Sequence, residues 1–444
     1  MLKQDMPIAE FKRYKNFVTQ LYKAGLFFKF CEQNPCFSIY LSYFYKEKKV
    51  SDWNEYLCSV LSFYVAPIRQ NTRNSIIQFR ETDIKSQKFL EQFILDVGNL
   101  KLESDFGALR NNFVLKITND EYMILNYNLL VDKIYQGLQF DFYNTLIKNG
   151  ALNKKGKKIK DFGEYKSMLG DEFSETYLFY KIIERVVENK NYIKLSGEEI
   201  KGKTGNGEPD YYIRDNNNLF LFEMKDVIIN KDIKLSDEIK VIHDGICSKI
   251  CKDNGKERKG GGQLLYNIDR FYKNFFISLD DCNPENISAY PIIVVNDSAF
   301  DANGVSNLLF REFDKILDSK YPHLREKVNK PVLINLDALI YLLPHFKDNS
   351  ITLSRIIKRY ISEFENNPLL KYRSFTDFVL ETYSDKMYDM KDLLKSLLFP
   401  EIKLEEEKSI KMRKEKHKSS KKRKSAIKRR RERKRNRKRR KRVR

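Results

Sequence analysis

Between residues 209 and 225 the chain reads PDYYIRDNNNLFLFEMK, and three of its side chains, Asp210, Glu223 and Lys225, could do chemistry together. DNNN is a turn cluster, and asparagine tolerates the left-handed backbone that a tight hairpin turn requires. A two-residue turn at Asn216-Asn217 pairs Asp215 with Asn218 and Arg214 with Leu219, and the same register continued outward sets Asp210 opposite Glu223. Opposed residues share a face, with Cβ atoms about 4.5–5.5 Å apart. Lys225, two residues beyond Glu223, points to that face as well. LFLFEMK is apolar on both faces until Glu223, as a central strand should be. Two carboxylates this close at the end of a buried strand repel and are costly to ionise. A divalent cation between them removes that cost, and oxygen ligands suit Mg²⁺ or Mn²⁺. A lysine beside the cation can orient or deprotonate an attacking water, and the cation stabilises charge on a phosphoryl group.

A second motif overlaps this one. Gly197, Gly202, Lys203 and Thr204 fit the phosphate-loop pattern G-x-x-x-x-G-K-[ST]. That loop needs a strand before its glycines and a helix after them. NYIKLS can supply the strand, but Thr204 is followed by Gly-Asn-Gly-Glu-Pro-Asp, which cannot begin a stable helix interior. No nucleotide cofactor is expected. His243, Cys247 and Cys251 lie four apart, with Cys282 as a further zinc-ligand candidate, yet the paired short spacings of zinc sites are absent. His323 and His345 each follow a proline and lack visible partners.

The elements that must position the carboxylates follow from periodicity. DEFSETYLFYKIIERVVEN (171–189) has helical spacing, with Asp171 as the expected N-cap. KGGGQLLYNIDRFYKNFF is a helix after a glycine stop, AYPIIVVND a short apolar strand, and KPVLINLDALIYLLPHF a strand followed by a helix. This alternation predicts an α/β domain over 164–346. Before it, NGALNKKGKKIKDFG (149–163) is the expected linker. Residues 1–150 are expected to form a helix-rich recognition or scaffold unit containing a hairpin about Asn119-Asp120. Residues 347–400 are expected to form a helical extension, broken near Asn366-Asn367-Pro368.

Pro209-Asp210 followed by Glu223-Met224-Lys225 resembles the PD-(D/E)xK nuclease superfamily. The resemblance covers 164–346 and implies a restriction-endonuclease-like mixed sheet flanked by helices. It implies that Asp210, Glu223 and the Met224 carbonyl ligate Mg²⁺ or Mn²⁺, and that Lys225 positions the water. The helix before the hairpin adds a glutamate, Glu175 or, one turn earlier, Glu172. Gln263 at the start of the next helix steadies the site or the scissile phosphate. Asn267 stands where some subfamilies carry tyrosine, with Tyr266 one position short of it. The implied activity is a metal-dependent endonuclease, DNA favoured over RNA, in a prokaryotic restriction or defence setting. A homodimer or partner subunit is implied where both strands are cut. The alternative is a non-catalytic nucleic-acid-binding or scaffold subunit with a vestigial nuclease fold.

Composition limits the rest. The formal net charge of +22 is concentrated in residues 411–444, which hold 23 Lys/Arg against 2 Asp/Glu, leaving 60 against 59 elsewhere in the 444 residues. Residues 401–444 are therefore expected to be a disordered polybasic tail that binds phosphate backbones regardless of sequence. The body must bind nucleic acid through a site rather than by bulk charge. There is no run of ~18 apolar residues and no signal-peptide profile at the start, and the 6 cysteines are irregularly spaced. A soluble cytoplasmic protein without a membrane partner is expected.

Overall fold

The computed structural model describes residues 16–384, apart from 71–75, 100–106, 154, 189, 205–206 and 368–369. The expected polybasic tail and residues 385–400 of the helical extension lie outside the described residues. Helix α1 (Phe17–Gln33) begins where the Asn16 side chain accepts from the Val18 amide. Asn34 both ends it and caps α2 (Pro35–Lys48), accepting from the Cys36 amide with proline next in line. With α3 (Trp53–Arg69), these helices bury an aromatic cluster in which Phe27, Phe28, Phe44 and Tyr56 meet mostly edge to face. Strands β1 (Ile76–Gln78), β2 (Val114–Lys116) and β3 (Glu121–Ile124) form a small sheet in the order β1-β3-β2, and β2–β3 is the hairpin expected about Asn119-Asp120. Helix α4 (Gln136–Lys148) follows.

The stretch expected as a linker, 149–163, carries an isolated β-bridge and gives way to a helix. Leu152 bridges Lys158, and Asp161 caps a helix at Phe162 by accepting from the Glu164 amide. Tyr165 and Leu169 are fully buried, and their burial carries the helix back past the expected start at Asp171. The helix, α5, runs through Phe162–Leu169, a π-helical stretch Gly170–Phe179, and Tyr180–Val186.

The main sheet is mixed, open and five-stranded, with helices on both faces. Its strands are β4 (Ile193–Ser196), then, after helix α6 (Gly197–Thr204), β5 (Tyr211–Asp215) and β6 (Asn218–Lys225). Helix α7 (Ile239–Ile250) leads into a two-stranded hairpin, β7 (Cys251–Asp253) and β8 (Arg258–Gly260), and then into α8 (Gly261–Tyr272). Strand β9 (Ser288–Val295), helix α9 (Val305–Lys320), strand β10 (Val332–Asn335) and helices α10 (Leu336–Lys347), α11 (Leu353–Asn366) and α12 (Phe375–Thr382) complete it. The order is β10-β9-β6-β5-β4, with β4, β5 and β6 antiparallel in succession and β6, β9 and β10 parallel. Leu219 and Leu221 share a core with Leu264 and Ile268 of α8 and Phe313 of α9. On the opposite face Phe222 meets Phe179 of α5, ring centroids 6.0 Å apart. Burial of both faces is what the unbroken apolar run of β6 required.

At the carboxyl ends of the parallel strands, α1 is tied to the sheet by a buried charge. Lys23, 2% exposed, lies 2.7 Å from Asp337 at the start of α10 and 3.3 Å from Asn296 just past β9. Its ammonium also sits 4.5 Å from the Tyr135 ring centroid. Asn34 donates to Glu172 of α5 at 2.8 Å. The described residues, 16–384, all fall within one compact unit. Among the described residues no helix is long and apolar enough to cross a membrane. Asp337→Ala removes the buried Lys23–Asp337 ion pair, and urea unfolding is expected to show a loss of about 3 kcal/mol.

Candidate active site

The β5–β6 hairpin is built as its turn residues demand. Asn216 takes a left-handed φ of 52°, and Asp215 pairs with Asn218, Arg214 with Leu219 and Tyr211 with Phe222. Asp280 anchors β5 from outside the sheet, accepting from the Tyr212 hydroxyl at 2.6 Å and from Arg214 Nη2 at 2.6 Å.

The ladder stops one residue before the expected Asp210–Glu223 pair. The Asp210 amide donates to the Phe222 carbonyl at 3.0 Å, and its own carbonyl accepts from the Gly197 amide at 2.9 Å. Proline at 209 offers no N–H to continue the ladder, so the chain turns away there. The Asp210 carboxylate instead folds over the strand end and accepts from the Met224 amide at 2.6 Å. The carboxylates are still neighbours, but they are not a cross-strand pair.

Glu223 and Lys225 share a face as the two-residue period requires, and the Lys225 ammonium pairs with Glu223 Oε1. Glu223 is 1% exposed, and its other oxygen, Oε2, is buried with no hydrogen-bond partner. A buried carboxylate with one oxygen unsatisfied is a costly group to keep. Met224, which lies beside Val294 in the parallel ladder, has its amide taken by Asp210.

Glu175 stands in the π-helical stretch of α5, four residues before Phe179, and Asp210 lies within its electrostatic reach. Such stretches are rare and recur at functional sites. Glu172, the alternative helix carboxylate, accepts from Asn34 instead. Gln263 sits at the start of α8, and its nearest polar partner is the Glu208 carbonyl at 3.5 Å, not a carboxylate. Gln263 therefore flanks the cluster without joining it.

The clustering shows in the proton affinities. Burial, with Asp210 alongside, pushes the Glu175 carboxyl up to about 8. Burial raises Asp210 to about 6, against the pull of Lys225 and the Met224 amide. Burial and then Asp210 push Glu223 well above the ordinary carboxylate range. Burial alone would lower Lys225, but Glu223 and Asp210 outweigh it and hold its ammonium more strongly protonated than usual.

The next residue, Asp226, escaped the sequence reading and turns out to lock the geometry. Its carboxylate accepts from Lys166 at 2.7 Å and from the Ser174 hydroxyl, both on α5. Ser174 adjoins Glu175, so the strand end carrying Lys225 and the helix carrying Glu175 are pinned together. The only sequence signal was adjacency to Lys225, and both partners lie far off in the chain. Beside this junction opens a cleft of about 680 Å³, lined by Glu175, Met224 and Lys225 together with Asp171, Arg110, Lys231, Lys234 and Lys249.

The competing motifs resolve differently. Gly197–Thr204 is itself helical and the Gly197 amide is committed to Asp210, so the phosphate-loop residues do not form a phosphate-cradling loop. Cys247 is on α7 and Cys251 begins β7. Among the described residues no three His, Cys, Asp or Glu side chains are drawn close enough to hold a metal, the carboxylate cluster included. There Glu223 is turned onto Lys225 and Asp210 onto the Met224 amide. No family model, curated protein or solved structure matches this chain.

The raised carboxyls give a pH test. Between about pH 5 and about pH 8 the folded Glu175 holds a proton that the unfolded chain has released, so its contribution to stability falls as pH rises. Glu175→Gln lacks that loss. In metal-free buffer its stability relative to the unmutated protein is expected to rise across this window, as thermal unfolding at several pH values would show.

Proposed function

We propose that this chain is a metal-dependent phosphodiesterase that cuts nucleic acid, with DNA the favoured substrate. The observation that carries the proposal is the buried Glu223, paired on one oxygen with Lys225 and unsatisfied on the other, beside Asp210 and Glu175. Three carboxylates driven to hold protons by burial and mutual repulsion are a donor set that suits a hard divalent cation. Asp210, Glu223 and Glu175, with the Met224 carbonyl, would hold Mg²⁺ or Mn²⁺. When bound, the cation would lower the pKa of a water and stabilise charge on the phosphoryl group.

The chain's own groups have separable roles. Lys225 pairs with Glu223 in the free protein, and with another counter-ion on the carboxylates its ammonium would be free to orient the water or the phosphate. Asp226 fixes the strand end that carries it, and Gln263 flanks the carboxylate cluster through the Glu208 carbonyl. The basic residues among the cleft's lining suit a phosphate backbone. The mixed five-stranded sheet with helices on both faces is compatible with the restriction-endonuclease-like fold, and the superfamily resemblance adds the prokaryotic restriction or defence setting and the possible need for a second subunit.

One observation favours a second reading, a non-catalytic subunit with a vestigial site. Asp210 and Glu223 already have protein partners, and a scaffold needs nothing more of them. A cleavage assay separates the two. With Mg²⁺ or Mn²⁺ the full chain is expected to cut DNA, EDTA to abolish cutting, and Asp210→Asn and Lys225→Ala each to slow it roughly 100-fold or more. Cutting by folded Lys225→Ala at the unmutated rate would remove the proposal.

A further inference from the structure

The cleft is not lined by charge alone. Phe162, at the start of α5, lines it. Together with Phe140 of α4, Phe162 also lines a narrower pocket that shares Lys166, Asp226, Val227 and Ile228 with the cleft. The two rings stack nearly parallel, centroids 4.0 Å apart and planes 8° from each other. Tyr143 braces Phe162 edge-on at 5.3 Å. Phe140 is 40% exposed. Isolated exposed apolar residues need no explanation, but this is a braced, parallel pair whose Phe162 lines a cleft that also carries Arg110, Lys231, Lys234 and Lys249.

A duplex buries its base faces inside the helix and offers a protein only groove edges and phosphates. An unpaired strand offers its base faces, and proteins that hold such strands combine a positive groove with aromatic rings on which bases stack. Here both parts line the cleft beside Glu175: the cations of Arg110, Lys231, Lys234 and Lys249, and the Phe162 ring. We propose that the Phe140–Phe162 pair is a stacking platform for an unpaired base, and that the nucleic acid taken by the cleft is single-stranded. The proposal rests on the nuclease reading for its substrate, but the platform itself does not depend on catalysis.

The test uses the full chain with Phe162→Trp, in EDTA, at salt high enough to suppress phosphate binding by the basic tail. The natural tryptophan, Trp53, is 7% exposed and supplies a constant background. A single-stranded DNA or RNA oligonucleotide is expected to quench the added tryptophan, and a blunt duplex of the same sequence is not; the two single-stranded arms show which sugar is preferred. Phe162→Ala is expected to weaken single-strand binding roughly tenfold or more and to leave duplex binding unchanged. Phe140→Trp serves as a second reporter should Trp at 162 disturb folding. Equal quenching by duplex, bound single strand without quenching, or unchanged affinity in Phe162→Ala would overturn the platform. Selective quenching in a protein that never cuts would leave the platform standing and remove the nuclease reading, whereas Lys225-dependent cutting without quenching would do the reverse.

Discussion

A lysine ammonium held against a buried glutamate, two residues along the same strand, is the interaction around which this molecule is arranged. Strand β6 is apolar on both faces up to Glu223, so that carboxylate enters a region where a lone charge is very costly. Lys225 makes the ionised form tolerable, and Asp210 and Glu175 then crowd the same charge with their own. Each of the three carboxyls is left with more proton affinity than it would have in water. A site of that kind is stable only while it binds protons, the lysine or another cation. This makes it a poor structural device, and it is the ground on which we propose that a metal is received there.

Everything next to that strand end serves to hold it still. Asp226 clamps it to α5 through Lys166 and Ser174, and the same carboxylate lies 3.4 Å from Asn296, which in turn meets Lys23. Lys23 reaches in from α1 to Asp337, so the N-terminal helices, the strand ends and α5 share one chain of buried polar contacts. Helix α1 is thereby joined through Lys23, Asn296 and Asp226 to the helix that carries Glu175.

Much of this was legible because hairpin register and burial period are local properties. Asn216 and the apolar run of β6 set the pairing from Asp215–Asn218 to Tyr211–Phe222, and the two-residue period put Glu223 and Lys225 on one face. The reading failed at Asp210, where the chain's departure depends on Pro209 and on the distant Gly197 amide. It failed again at the start of α5, where burial of Tyr165 and Leu169 outweighed the basic, glycine-containing composition before them. The short hairpin β7–β8 was missed because its residues carry no alternating apolar pattern. Asp226, Lys23 and the Phe140–Phe162 stack could not be foreseen, since each acts through partners that only the tertiary fold brings near.

The most direct measurement is calorimetric titration of Mn²⁺ into the metal-free full chain near pH 7, repeated in two buffers of different ionisation heat. A cation entering the carboxylate cluster must displace protons held by Glu175 and its neighbours. Saturable binding with proton release, lost in Glu223→Gln, is therefore expected. Absence of binding, or binding that Glu223→Gln leaves intact, would contradict the assignment of these carboxylates to a metal.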